Sequence, residues 1–127
     1  MKEKKFYVCK HCGNIVTHIN DSGVRVVCCG ETMEEIVPNT IDASKEKHIP
    51  EVVTENGKVT ITVGSVLHPM TEAHLIQWIL LVTEEGCQRK TLNANDSPKA
   101  EFYISKNDKV ICAYAYCNLH GLWRKDL

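Results

Sequence analysis

Seven cysteines and six histidines in a chain of 127 residues constrain this sequence more than anything else in it. Cysteines in such number either staple a small secreted scaffold with disulfides or ligate metal. Here the count is odd and histidines are interspersed. The charged stretch Met1-Lys2-Glu3-Lys4-Lys5 is followed by no apolar core that would make it a secretory signal. A reducing compartment, the cytoplasm, is therefore expected, with thiolate and imidazole ligands in place of disulfides. A formal net charge of −1 gives no reason to expect nucleic acid as a partner. No uninterrupted apolar stretch, Trp78 to Val82 included, is long enough to cross a bilayer.

The composition changes near residue 38, which divides the chain into 1–37 and 38–127. Before that point four cysteines lie in a turn-rich stretch; beyond Pro38-Asn39-Thr40 comes a polar connector, Asp42 to Lys47. In the first part, Asn14 to Ile19 and Val24 to Cys28 flank Asn20-Asp21-Ser22-Gly23 and read as a hairpin. So short a segment cannot bury a sufficient core and needs a staple. In the second part Val59, Ile61 and Val63 alternate with threonines after the turn pair Asn56-Gly57. Leu75 to Thr83, Gln88 to Leu92, Glu101 to Ser105 and Lys109 to Tyr116 follow, separated by turn signals. Strands spaced this way, with no convincing helical period, predict an all-β chain whose larger part is an antiparallel sandwich. Leu75 to Val82 fits a buried helical turn on pattern alone, but its β-branched and aromatic content favours a strand.

Cys9-Lys10-His11-Cys12 presents two thiols spaced to reach one ion, and Cys28-Cys29 presents two more. Four thiolates make a closed tetrahedral site for structural zinc or a single iron, and such a site supplies folding energy outright. Zinc sites usually carry Cys-x-x-Cys on both arms; the adjacent pair Cys28-Cys29 needs a different backbone path to the metal. His11 and His18 read as ordinary surface residues.

The remaining histidines are His48, His68, His74 and His120, the last in Cys117-Asn118-Leu119-His120. Each lies at or near a break between strands, and in a sandwich such loops can converge at one end. Four neutral imidazoles and a thiolate suit a transition metal, not calcium or magnesium, and are too many for tetrahedral zinc. Five protein ligands leave a six-coordinate ion one open position. A thiolate ligand pushes electron density onto its metal. Beside such a site, Lys47 is suited to attract an anion, and Glu46 to fill the open position when substrate is absent.

Together these residues carry a resemblance. Cys9-x-x-Cys12 with Cys28-Cys29, then Glu46-Lys47-His48-x-Pro50, His68-Pro69-Met70, His74 and Cys117-Asn118-x-His120-Gly121-x-Trp123, resemble desulfoferrodoxin, the two-iron class of superoxide reductase. The resemblance implies a desulforedoxin- or rubredoxin-like domain over 1–37 with iron held by Cys9, Cys12, Cys28 and Cys29. It implies an immunoglobulin-like sandwich over 38–127 whose iron takes His48, His68, His74 and His120 in a plane and Cys117 on the axis. The implied reaction is one-electron reduction of superoxide to hydrogen peroxide without release of dioxygen. Lys47 then draws in superoxide and helps protonate it, Glu46 ligates the oxidised iron, and the amides of Leu119 and His120 hydrogen-bond the Cys117 sulfur. A rubredoxin-like electron donor and a homodimer are implied as well. Cys87 and Cys112, outside both ligand sets, are expected to be buried thiols. Two other readings compete: a blue-copper electron carrier, disfavoured because no methionine follows His120 and two histidines would go unused, and a binding module with two structural zinc ions.

Overall fold

The computed structural model describes residues 4–127; Met1 to Glu3, part of the charged N-terminal stretch, lie outside the described residues. The chain divides into two compact units, Met1–Val37 and Pro38–Leu127.

The first unit is built from five short strands. They are β1 (Phe6–Val8), β2 (Ile15–Thr17), β3 (Val27–Cys28), β4 (Glu31–Thr32) and β5 (Glu34–Ile36). β1 is central, flanked by antiparallel β2 and β5, while β3 and β4 form a separate pair. The hairpin expected between Asn14–Ile19 and Val24–Cys28 is therefore corrected: β2 pairs with Phe6–Val8, and Val27–Cys28 pairs with Glu31–Thr32. Two local turns explain the difference. Asp21 Oδ1 accepts the Gly23 amide at 2.8 Å, closing an Asx turn that leads the chain away from β2. Cys29 and Gly30, both at positive φ (51° and 76°), reverse the chain directly after Cys28. Phe6, Cys9 and Met33 form the small buried centre of this unit.

The second unit is a sandwich of a three-stranded and a four-stranded sheet. It opens with a single helical turn, α1 (Lys45–His48), within and just beyond the polar connector read from Asp42 to Lys47. β6 (Pro50–Glu55) and β7 (Lys58–Val63) follow, joined through Asn56 and Gly57 at φ 51° and 80°, the paired positive values of a tight hairpin turn. Then come β8 (Ile76–Thr83), β9 (Gly86–Thr91), β10 (Lys99–Tyr103), β11 (Val110–Cys117) and β12 (Gly121–Asp126). The sheets run β10-β7-β6 and β12-β11-β8-β9, every neighbouring pair antiparallel. The all-β prediction holds, and the stretch read from Leu75 is strand from Ile76 to Thr83. β6 and β12 were not foreseen. β6 carries charged or polar residues at three of its six positions and opens with a proline, and β12 ends in Arg124-Lys125-Asp126, so neither looks apolar enough in isolation.

Between the sheets Val59, Ile61, Val63, Ile76, Ile79, Leu81, Phe102, Ala113 and Ala115 pack into one core, and Cys117 belongs to it. At one lateral margin the sheets are laced together. Gln88 Nε2 on β9 donates to the Tyr103 carbonyl at 2.9 Å, and Lys90 Nζ donates to the Glu101 carbonyl while lying over the Phe102 ring. Cys112 is buried as expected, whereas Cys87 is exposed, because every residue of the edge strand β9 faces solvent. Among the described residues no helix is long and apolar enough to cross a membrane.

Register decides where the second unit's loops gather. Pro50 at the start of β6 pairs with Val63 at the end of β7, and Cys117 at the end of β11 pairs with both Ile76 and Gly121. The segments before β6, between β7 and β8, and between β11 and β12 therefore emerge at the same end of the sandwich. These segments carry His48, His68, His74 and His120.

Candidate metal centres

In the first unit the sulfurs of Cys9, Cys12, Cys28 and Cys29 all lie within 4.8 Å of one another. Cys12 Sγ and Cys28 Sγ are 3.7 Å apart. Thiolates at about 2.3 Å around a tetrahedral ion are separated by about 3.8 Å, so the cluster has the size such an ion requires. The left-handed conformation of Cys29 is the backbone path that lets two consecutive cysteines turn toward one point. The Cys12 amide donates to Cys9 Sγ at 3.5 Å and holds the Cys9 thiol down at about 6. Crowding by the sulfurs of Cys12, Cys9 and Cys28 pushes Cys29 up to about 12. Four thiolates thus repel one another unless a cation sits among them, which is the donor set's own evidence for a metal. Asn14 Nδ2 points at Cys28 Sγ from 3.7 Å. His11 is exposed and pairs with Glu31 at 2.5 Å, while His18 stands edge-on to Tyr7.

In the second unit His48, His74, Cys117 and His120 offer ligand atoms within 4.8 Å of one another. His68 joins them, its Nε2 being 3.2 Å from Nε2 of His48. The ring centroids describe a square. Going round it, His48–His68, His68–His74, His74–His120 and His120–His48 are 4.7, 4.7, 5.1 and 4.9 Å apart, whereas the diagonal His48–His74 is 6.5 Å. Neighbouring rings are crossed by 76° to 85°, and the diagonal pair by only 31°. A tetrahedral set would make all such distances alike. Nitrogens in a square around a first-row ion at about 2.1 Å are about 3.0 Å apart. His48 Nε2 to His120 Nδ1 is 3.1 Å.

The ring nitrogens facing inward are fixed from behind. His48 Nδ1 is 2.6 Å from the Ser44 carbonyl, and His68 Nδ1 is 2.6 Å from the Pro69 carbonyl. Each Nδ1 donates its hydrogen there, leaving Nε2 with a lone pair turned into the square. His74 Nε2 is buried with no hydrogen-bond partner, an orphan that a metal would satisfy. Burial pushes the imidazoles of His48 and His74 below their ordinary value and holds His68 at about 4, so all three are neutral near pH 7. His48 stacks on Trp123, whose indole Nε1 donates to the His120 carbonyl at 3.1 Å.

Cys117 Sγ lies 3.9 Å from His120 Nδ1 and accepts the His120 amide at 3.4 Å. Burial raises its thiol pKa, and backbone donors at His120 and Leu119 oppose that rise. Four rings in a square with one sulfur beside them are a five-donor set. Such a set suits a redox-active first-row metal and not a closed zinc site.

Glu46 and Lys47 occupy α1, immediately before His48, and both are exposed. The Lys47 charge reaches the cluster, depressing His48 and His74. The part of Glu46 that is engaged is its carbonyl, which accepts the Val66 amide at 3.1 Å and the Ser65 hydroxyl at 3.4 Å. Behind this segment stands Gly64 at φ +87°. A Cβ there would lie 2.3 Å from the Val66 carbonyl oxygen, 2.7 Å from that of Glu46 and 2.8 Å from Lys47 Cα. Ser44, Gly64 and Trp123 thus take part in building the site, and only the motif spacing around His48 and Cys117 hinted at any of them.

Two family descriptions match the chain, desulfoferrodoxin over residues 40–126 and the desulfoferrodoxin N-terminal domain over residues 1–36. The desulfoferrodoxin of Nitratidesulfovibrio vulgaris is 47% identical over 122 residues, 96% of this chain and 95% of that one. A desulfoferrodoxin homolog of Archaeoglobus fulgidus is also 47% identical, over 119 residues and 93% of each chain. Among solved structures, the superoxide reductase from Treponema pallidum superposes with a TM-score of 0.83 at 37% identity, covering 98% of this chain and 100% of that one. The one-iron superoxide reductase from Giardia intestinalis gives 0.53 at 36% identity, over 65% of this chain and 98% of its own. With both units matched in order and the metal-ligand clusters in each, the chain belongs to the desulfoferrodoxin family.

Proposed function

We infer that this protein is a superoxide reductase with two iron sites. The observation that carries the reading is the square of four imidazole rings with the buried Cys117 sulfur beside it. In this reading residues 1–37 form an iron–thiolate domain with Cys9, Cys12, Cys28 and Cys29 as ligands. Residues 38–127 form the catalytic domain, with His48, His68, His74, His120 and Cys117 as ligands. Iron bound there supplies one electron to superoxide, which with two protons becomes hydrogen peroxide.

The chain's own residues provide the rest. Lys47, whose charge is felt at His48 and His74, draws the superoxide anion toward the cluster and offers it a hydrogen bond and a proton. Glu46, one residue earlier on the exposed turn, is the carboxylate that would be available as a further ligand to iron held there. The Ser44 and Pro69 carbonyls keep the His48 and His68 rings in the tautomer that ligates. The His120 amide withdraws charge from the Cys117 sulfur and so tempers its push onto the metal. A small one-electron carrier of the rubredoxin kind replenishes the electron, two chains associate as a homodimer, and the compartment is the cytoplasm.

Mixing the reduced, iron-loaded protein with a pulse of superoxide tests this. Expected are one hydrogen peroxide per superoxide consumed, one iron oxidised, and no dioxygen. Dioxygen with half as much peroxide would make the protein a dismutase, and a chain that holds two zinc ions and no iron would refute the reading.

A further inference from the structure

The loop that carries His74 is tied to the rest of the unit ahead of the histidine at Met70, whose carbonyl accepts the Asn95 amide at 2.8 Å and whose Sδ accepts the Ile76 amide at 3.4 Å. Between Pro69 and Leu75 the chain forms no regular structure, and the turn from Thr71 to His74 closes mainly on itself: the Thr71 amide donates to the His74 carbonyl at 2.9 Å, and the His74 amide to Thr71 Oγ1 at 3.1 Å. Those bonds shape the turn without fixing it to the sandwich. Yet His74 has to meet three rings from other segments to within a few tenths of an ångström.

Asn118 provides the anchor. Its Nδ2 donates to the Ala73 carbonyl at 3.0 Å, and its Oδ1 accepts the Leu75 amide at 3.0 Å, so one carboxamide grips the peptide groups on both sides of His74. Its own amide donates to the Leu75 carbonyl at 3.2 Å. The residue before it is Cys117, and two residues after it is His120. A primary amide is the small side chain that presents donor and acceptor together; Asp lacks the donor, and Ala lacks both.

We propose that Asn118 is a positioning residue of the imidazole–thiolate centre, tying the His74 loop in register with Cys117 and His120. The proposal rests on reading that cluster as a metal site. Outer hydrogen-bond partners that orient ligands typically change metal affinity by about 10- to 100-fold when removed.

The test uses the full, iron-loaded chain and measures iron retention at each site against a chelator, followed by the visible spectrum. Asn118→Ala should release the second iron about 10- to 100-fold more readily while the four-cysteine iron is retained. Asn118→Asp, which keeps only the acceptor, should fall between it and the parent. In a His74→Ala background, Asn118→Ala should add nothing, because the asparagine acts through that ring. Unchanged retention in Asn118→Ala, or full additivity with His74→Ala, overturns the proposal. Should Asn118→Ala not fold, Asn118→Asp decides the matter through hydrogen exchange at the His74 amide, whose turn loses the bond to the Ala73 carbonyl while the Leu75 amide keeps its acceptor; a His74 amide as protected as the parent's counts against the proposal. If His74→Ala alone leaves the second iron as tightly held as before, the metal-site reading itself has failed.

Discussion

Replacing Gly64 by alanine probes the joint on which Glu46, Lys47 and His48 are hung. Two costs can be separated. Alanine at φ +87° occupies the left-handed region at about 1–2 kcal/mol. The second cost is steric: its Cβ would stand 2.3 Å and 2.7 Å from two carbonyl oxygens and 2.8 Å from a Cα, all backbone atoms that no rotamer change can move. Forcing such a contact costs a further ~1–3 kcal/mol. Gly57 supplies the control in the same unit. It too has positive φ, +80°, but the nearest atom to its Cβ would be the Ile104 carbonyl oxygen at an ordinary 3.4 Å. Gly57→Ala should therefore lower the melting temperature of the iron-loaded protein by about 4–10 °C, and Gly64→Ala by roughly twice that or more. Because the backbone that must yield belongs to Glu46, Lys47 and Val66, Gly64→Ala should also slow the reaction with superoxide, whereas Gly57→Ala should leave it unchanged. Scanning calorimetry and pulse radiolysis on the pair read both quantities. Equal melting shifts for the two variants would refute the close approach between the β7–β8 turn and α1.

Other outcomes are expected. Lys47→Ala should slow superoxide capture by about tenfold at low salt and flatten its ionic-strength dependence, with iron content unchanged; an unaltered rate would remove the lysine from the mechanism. Cys12→Ser should disturb the four-thiolate absorption and leave superoxide reduction working; loss of activity with the second iron intact would instead make the first centre an obligatory relay. Burial holds His68 at about 4 when folded, against 6.5 for the free ring. Above pH 6.5 both states are neutral and the shift has no effect. Between pH 6.5 and 4 the unfolded chain takes up a proton that the folded one refuses, so metal-free protein should lose stability across that window. Melting curves of the stripped protein at several pH values would show it, and a flat profile would contradict it.

The ligands were legible in the sequence because their chemistry is rare, while the geometry that makes them a site was not. Cys9-x-x-Cys12 and Cys28-Cys29 announce a metal by residue type alone. The square of rings depends on β-sheet register, such as Pro50 opposite Val63 and Cys117 opposite Gly121, which no local pattern encodes. The strands with clean alternation, like Val59–Val63, were read correctly. β6 and β12 were missed because their polar residues lie on exposed faces, and periodicity reports burial, not pairing. The hairpin drawn from residues 14 to 28 failed for a related reason: turn chemistry at Asp21–Gly23 was visible, but the preference of Ile15–Thr17 for Phe6–Val8 was a tertiary choice.

The lacing of β9 to β10 has a consequence for life outside the active site. An open sheet margin offers unpaired carbonyls to any passing extended chain. Here the Tyr103 and Glu101 carbonyls on the β10 margin already accept from Gln88 and Lys90, and the Lys90 stem covers Phe102. Templated strand addition at such a margin is the usual hazard of a two-sheet sandwich. Closing that seam with side chains from the neighbouring sheet withdraws those two carbonyls from strand addition at this margin.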